Sequence, residues 1–318
     1  MRVRDRIEDV RSDKFDLGVV VPTYNHGKFL KATLLSLLGQ SLTSLKIVVV
    51  DDFSTDNTQE ILKEFLTEPR ISVIRNASNL GESEAVNVGW SALQTQFVAI
   101  ISADDPQNLS WAEGMFSTIK QFPNFVGYYP NLQIINDQGS HIKNVELRDW
   151  DTKTAIEKLI CIASAGTIYN RRYLPTDFVP RNKNVKYPSD LIQIFNITQF
   201  GDLKKVANVY GVWRESTDGM TATLGNIKKV EELHSTITVW LAQKNISRLS
   251  INVDRLNANL YSQMWKLLRR DLSVRDSFSA LLSYVEMTYF LSPRNQFYLL
   301  QAIVEYHIQK FLKPKHCP

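Results

Sequence analysis

Four short apolar runs alternate with amphipathic helical segments over the first hundred residues, and this alternation leaves few folds open. The runs cover residues 17–21, 45–50, 71–74 and 97–101. Between the first two, Phe29, Leu30, Thr33, Leu34, Leu37 and Leu38 recur at the three-and-four spacing of one helical face. Ile61, Leu62, Phe65 and Leu66 do the same in the second interval, and Ala85, Val86, Gly89, Trp90 and Leu93 in the third. Near-continuous apolar runs suit strands buried on both faces of a parallel sheet. Strand alternating with helix predicts parallel pairing through right-handed crossovers, a doubly wound α/β domain. Two helices carry start signals spaced as capping boxes, Asp56 with Gln59 and Ser110 with Glu113.

Three of the runs stop at polar clusters: Pro22-Thr23-Tyr24-Asn25, Asp51-Asp52 and Asp104-Asp105. In open α/β sheets ligands bind just outside the carboxyl ends of the strands, so the three clusters are expected at one sheet edge. Two adjacent carboxylates are costly unless a cation lies between them. Mg²⁺ usually takes one or two protein carboxylates plus substrate oxygens. A polar turn capping the strand is the plain alternative for Asp104-Asp105, and a helix-capping turn with Ser54 and Thr55 for Asp51-Asp52. No Gly-x-Gly-x-x-Gly follows the first run and no Walker A motif is present, which argues against a dinucleotide cofactor or a phosphate-cradling loop. A nucleotide here is held by carboxylates and a metal: Asp51 or Asp52 on a base N–H or ribose hydroxyl, Asp104 holding the metal against a diphosphate.

Beyond the acids the pattern changes. Residues 126–129, 132–135 and 141–145 read as strands, with Asn136-Asp137-Gln138-Gly139 as turn chemistry between the last two. A helix is expected over 152–161 and a loop over 181–188. Asp190 then opens a helix with Leu191, Ile194, Phe195 and Thr198 on one side, and 203–212 reads as a strand. From Ile227 the periodicity is helical, in four segments. From Asn226 onward the chain holds 13 Lys and Arg against 7 Asp and Glu, a net +6; the whole chain has 37 against 33, which leaves 24 against 26, a net −2, for residues 1–225. The expected division is therefore a catalytic domain over 1–225 and a basic helical region over 226–318.

Cys161 and Cys317 give neither a disulfide nor a metal-ligand spacing, and the five histidines show none either. Residues 1–16 alternate acids and bases without an apolar stretch, so no signal peptide is expected. No run reaches the roughly 18 apolar residues of a membrane span. A reducing, cytoplasmic setting follows, and nothing points to nucleic acid.

Val19-Val-Val-Pro-Thr-Tyr-Asn25, Val48-Val-Val-Asp-Asp-Phe-Ser-Thr-Asp56, Asn79-Leu-Gly81 with Asn87-Val-Gly89, and Ser102-Ala-Asp-Asp-Pro106 resemble, in order and spacing, the motifs of family 2 nucleotide-sugar glycosyltransferases. The resemblance is strong over residues 15–135 and weaker to about 220. It implies the GT-A fold, a mostly parallel nucleotide-binding sheet with a smaller mixed acceptor part, an inverting mechanism and a divalent cation, Mg²⁺ or Mn²⁺. It places Pro22, Thr23, Tyr24, Asn25 and Asp52 on the base and ribose, and Asn79 and Asn87 along the nucleotide pocket. Both asparagines also suit turn and helix-packing roles. Asp104 matches the family's metal-binding acid. The first acid of that motif is Ser102 here, and Asp105 is the carboxylate that can partly compensate. Asp190 falls at the catalytic base, preceded by Ser189 where an acid is usual. Trp213-Arg214 resembles a late motif whose histidine is Ser216 here, and Arg214 would support the departing diphosphate.

The resemblance points to transfer of a sugar from a nucleotide donor, with a UDP-sugar favoured because a carboxylate suits a uracil N3–H, to a hydroxyl of a glycan or lipid-linked acceptor. A nucleotidyltransferase is the enzymatic alternative, but its Gly- and Arg-rich loop after the first strand is absent. A non-catalytic sugar-nucleotide-binding protein is the other alternative, suggested by Ser102 and Ser216. Two readings of the tail stand side by side. It docks on an anionic membrane through clusters such as Trp265-Lys-Leu-Leu-Arg-Arg270 and Phe311-Leu-Lys-Pro-Lys315, or it packs as a bundle with a solvated basic face.

Overall fold

The computed structural model describes residues 17–42, 44–161, 165–185, 187–216, 224–242 and 249–284. The basic cluster at 311–315, His307, His316, Cys317 and any helix after 284 lie outside them. Two compact units are present: one of residues 1–149, 163–183 and 200–215, the other of 150–162, 184–199 and 216–318. This grouping differs from a single cut at residue 225, because two inner segments pack with the C-terminal helices.

The first unit holds β1 (Leu17–Thr23), α1 (Gly27–Leu38), β2 (Leu45–Asp51), α2 (Thr58–Lys63), β3 (Ile71–Arg75), α3 (Glu82–Ala92), β4 (Phe97–Ile100), α4 (Trp111–Gln121), β5 (Gly127–Ile135), β6 (His141–Val145), β7 (Ile168–Asn170) and β8 (Leu203–Arg214). The sheet order is β3-β2-β1-β4-β7-β5-β6, with β8 on the other side of β5. β3, β2, β1 and β4 are parallel, as the alternation of strand and helix requires. β7 then runs antiparallel to both β4 and β5. Every residue of β1 and β4 is buried, which accounts for their unbroken apolar reading. The core is formed by Val19, Val21, Ile47, Val49 and Ala99 of the sheet, covered by Leu30, Leu34 and Leu37 of α1 and by Met115 and Phe116 of α4.

Glycine sets one close approach. A Cβ on Gly89 of α3 would lie 2.4 Å from Val20 Cγ1 and 3.1 Å from Val50 Cγ2, so the helix lies directly on β1 and β2 there.

Two local expectations are corrected. Neither capping box forms: Gln59 Nε2 donates to Asp51, and Glu113 accepts from Ser41 Oγ. Asp56 instead accepts from the Thr58 and Gly27 amides, which ties α2 to α1. The runs at 126–129 and 132–135 form one strand, β5, passing through Pro130. Proline has no N–H for the ladder, and opposite it the register of β8 jumps from Val206 to Tyr210. Asn208 takes a positive φ of 60° in this detour, and Val209 turns against Gly114 of α4. The turn at 136–139 forms as expected, with the Asn136 side chain accepting from the amides of Gln138 and Ser140.

The second unit contains α5 (Thr152–Glu157), α6 (Ser189–Ile197), α7 (Asn226–Leu241), α8 (Val253–Asp271) and α9 (Val274–Leu282). α5 is shorter than expected; Leu159, with φ 50°, turns the chain out of the helix. Leu191, Ile194, Phe195 and Thr198 are all buried, as the α6 pattern predicts, and Phe195 packs against Trp240 of α7.

Candidate active site

Register brings the polar clusters of the first unit to one sheet edge. Thr23 at the end of β1 lies opposite Asp51 of β2, which lies opposite Arg75 of β3. The chain leaves β4 two residues short of Ser102, and Ile101 N still donates to Val20 O. The edge is thus built from the loops after β1, β2, β3 and β4.

Within it, most acids are occupied by the protein. Asp51 is fully buried: Oδ1 accepts from Ser54 N at 2.9 Å, and Oδ2 accepts from Gln59 and Arg75. Asp52, also buried, takes Asn76 Nδ2 at 2.7 Å and Leu80 N at 2.9 Å on Oδ1, and Gly81 N at 2.7 Å on Oδ2. Gly81 sits at φ 91°, a conformation that glycine takes without steric cost. Asp52 therefore shapes the loop carrying Asn79, whose own Oδ1 accepts from Gly81 N at 3.1 Å. Asn25, at φ 55°, accepts on Oδ1 from the amides of Thr55 and Asp56. Asn87 holds the backbone of Arg181 from both sides, Nδ2 to its carbonyl at 2.8 Å and Oδ1 from its amide at 3.1 Å.

What remains open is narrower. Tyr24 and Phe53 are exposed aromatic rings beside β1 and β2, and Phe53 lies under the Arg75 guanidinium. Thr23 Oγ1 is buried with no hydrogen-bond partner among the described residues, while Pro22 is buried in the strand. Asp104 is half-buried, and among the described residues no donor reaches its carboxylate.

Its neighbour behaves differently. Asp105 is buried, and its Oδ1 accepts from Arg214 N at 2.7 Å. Burial, and then the charge of Asp104, pushes the Asp105 carboxyl well above the usual carboxylate range; the Arg214 amide and guanidinium pull the other way. Arg214 itself is a clamp. Nε donates to Asp104 O at 2.8 Å, Nη1 to the carbonyls of Asn136 and Asp137 at 2.6 and 3.0 Å, and the guanidinium lies 4.5 Å from the Phe29 ring centroid. It fixes the loop after β4 against the β5–β6 turn and α1.

No group of three or more His, Cys, Asp or Glu side chains able to hold a metal occurs among the described residues. The donor set at Asp104 is a single hard carboxylate. It fits a cation completed by substrate oxygens and does not fit a closed zinc-type site. Sequence reasoning missed Arg75, Asn76 and Gln59, which hold the carboxylates of Asp51 and Asp52. Only the place of Arg75 and Asn76 at the end of β3 hinted at them.

Asp190 belongs to the second unit, half-buried in the first turn of α6. Its Oδ1 accepts from Leu191 N at 2.9 Å, and the Cys161 thiol donates to Oδ2 at 3.5 Å.

A doubly wound nucleotide-binding sheet with acids at its carboxyl edge defines the GT-A class of fold. Residues 18–174 match the family model described as "Glycosyl transferase family 2". An uncharacterized glycosyltransferase of Nostoc sp. (strain PCC 7120) is 31% identical over 244 residues, 74% of this chain and 68% of that protein. The chain belongs to glycosyl transferase family 2. Glycosyltransferase GlyG of Streptococcus pneumoniae is 31% identical over 106 residues, and that match spans 33% of this chain and about a third, 35%, of GlyG. Among solved structures, S. aureus TarS (residues 1–349) in complex with UDP-GlcNAc superposes with a TM-score of 0.63 at 17% identity. That match covers 92% of this chain and 80% of the TarS chain.

Proposed function

We propose that this chain transfers a sugar, with inversion, from a nucleotide-sugar donor to a hydroxyl of a glycan or lipid-linked glycan, using Mg²⁺ or Mn²⁺ held at Asp104. The observation that carries the reading is the contrast at the sheet edge. Asp51, Asp52 and Asp105 are buried and hydrogen-bonded, whereas Asp104 keeps a solvent-reaching carboxylate with no donor among the described residues.

A divalent cation there would neutralise charge on the departing diphosphate. The protein does the rest. Tyr24, Phe53 and the Thr23 hydroxyl supply surface and a hydrogen bond for the nucleoside. Asp52 acts through the Asn76–Gly81 loop that it orders, and Asn79 and Asn87 frame the pocket. Arg214 holds Asp104 in place through its backbone, and Asp105 locks Arg214. In the transfer itself the acceptor oxygen attacks the anomeric carbon from the face opposite the diphosphate. The bond to the diphosphate oxygen breaks with its electron pair, and the hydroxyl proton passes to Asp190 as general base. UDP is favoured as the carrier, in keeping with the UDP-GlcNAc bound by the TarS neighbour.

We place the protein in the cytoplasm, with the basic face of α8 meeting an anionic membrane surface. Trp265 and Leu268 are buried within the unit, so charge rather than insertion of those side chains would drive the contact. The described residues contain no helix long and apolar enough to cross a membrane.

A thermal-shift panel of UDP-, GDP- and dTDP-sugars, with and without MnCl₂, tests the donor reading, since a ligand bound only to the folded state raises stability by mass action. The expected result is a metal-dependent rise with one or more UDP-sugars. No shift with any donor in either condition rejects it. Ser102 and Ser216 favour a second reading, a binding protein without turnover. Slow metal-dependent hydrolysis of the stabilising sugar nucleotide excludes that alternative.

A further inference from the structure

The helices after residue 225 do more in their own unit than cover it. α8 and its N-cap present Asn252, Arg255, Asn259 and Gln263 at the three-and-four spacing of one face, and all four reach the end of α5. Asn252 N donates to Glu157 Oε1 at 2.7 Å and Arg255 Nη1 to Oε2 at 3.4 Å. Asn259 Nδ2 donates to the Glu157 carbonyl at 2.9 Å, and Gln263 Nε2 to those of Lys158 and Leu159, both at 3.4 Å. A helix end leaves its last carbonyls without internal partners, and here a neighbouring helix supplies the donors. The Glu157 carboxylate is 3% exposed, a charge the fold keeps inside for these contacts.

The segment so held ends at Cys161, two residues past Leu159, with its thiol on Asp190 Oδ2. Tyr187 belongs to the same group: burial, and then the charges of Asp190 and Cys161, hold its hydroxyl above the ordinary range, while Arg270 of α8 acts in the opposite sense. The charged and titratable groups that act on Tyr187 are thus Asp190, Cys161 and Arg270. A carboxylate fixed on Oδ1 by its own helix still needs a contact on Oδ2 to set the plane of the group.

We infer that α8, through its side-chain bonds to the end of α5, positions Cys161 against Asp190 and thereby orients the carboxylate that takes the acceptor proton. Cys161, Asn259 and Gln263 are positioning residues for that base. The inference rests on the proposed role of Asp190, so its test has one arm independent of turnover.

In that arm, iodoacetamide alkylation of Cys161 is followed at neutral pH by peptide mass spectrometry on the full chain. A neighbouring carboxylate disfavours the thiolate, so Asp190→Asn should speed alkylation about threefold or more. The pair Asn259→Ala with Gln263→Ala should speed it in the same direction by loosening the contact. Equal rates in wild type and both variants overturn the inference.

The second arm measures hydrolysis of the nucleotide sugar giving the largest shift in the panel above, with MnCl₂, across pH. Loss of one hydrogen bond to a charged group predicts a fall in kcat of about three- to tenfold for Cys161→Ala. KM for the donor should stay unchanged, and Cys161→Ser should restore kcat. A Cys161→Ala profile identical to wild type rejects the positioning role. Asp190→Asn should lower kcat by roughly a hundredfold or more. Undiminished turnover in that variant rejects the base assignment, and the alkylation arm still reads the α8 contact alone.

Discussion

Single residues at the sheet edge divide into those that hold the protein together and those left over for a ligand. Asp104 is left over, and Asp104→Ala is expected to abolish metal-dependent affinity for a nucleoside diphosphate while leaving the melting temperature within a degree or two. Isothermal titration with UDP in MnCl₂ checks this, and unchanged metal-dependent affinity removes Asp104 as the ligand. The acids were legible from the sequence because a buried strand that stops at paired carboxylates is unusual chemistry at a predictable place. Their individual fates were not. Asp51 and Asp52 are neighbours in sequence, yet one meets Arg75 and Gln59 while the other meets Asn76 and the Gly81 amide. Those partners arrive from β3, α2 and the loop before α3, and no spacing rule connects them. Arg214 shows the same limit: its family position suggested a diphosphate contact, and the structure engages its guanidinium with three backbone carbonyls.

Among elements, strands and helices of the first half follow the sequence closely because β1 and β4 are buried along their whole length and β2 at every position but Lys46, while β3, at the end of the sheet, is only partly covered. The departures have local causes. Both expected capping boxes fail because tertiary partners compete for the same side chains, Gln59 going to Asp51 and Glu113 to Ser41. Residues 126–129 and 132–135 read as two strands; β5 runs through Pro130 between them, and opposite it β8 makes its detour at residues 207–209. Contact between α3 and the sheet depends on Gly89. Gly89→Ala would place a methyl 2.4 Å from Val20 Cγ1, in a packed interior that cannot yield cheaply. A loss of about 1–3 kcal/mol in urea unfolding is expected, as for other overpacked cores. A variant as stable as wild type would mean that α3 can ride away from β1.

At the scale of the whole molecule, charge is separated between a slightly acidic first part and a tail of net +6 from Asn226. Each Lys or Arg near an anionic leaflet contributes on the order of 1 kcal/mol. Flotation with phosphatidylglycerol vesicles at low salt should therefore carry the protein upward. High salt, or Lys266→Gln with Arg269→Gln and Arg270→Gln, should leave it at the bottom. A protein that never floats confines the tail to its structural role. The sheet itself ends in a guarded edge. Among the described residues β8 pairs with β5 alone, and Lys204 and Lys205 stand at its start. Farther along, the segment after β4 already occupies its outer backbone groups. Asn108 Nδ2 donates to Tyr210 O at 3.2 Å, Gln107 donates to Val212 O and accepts from Val212 N, and Asp105 accepts from Arg214 N. The loop that carries Asp104 thus also takes the hydrogen bonds that a strand of another copy would need there.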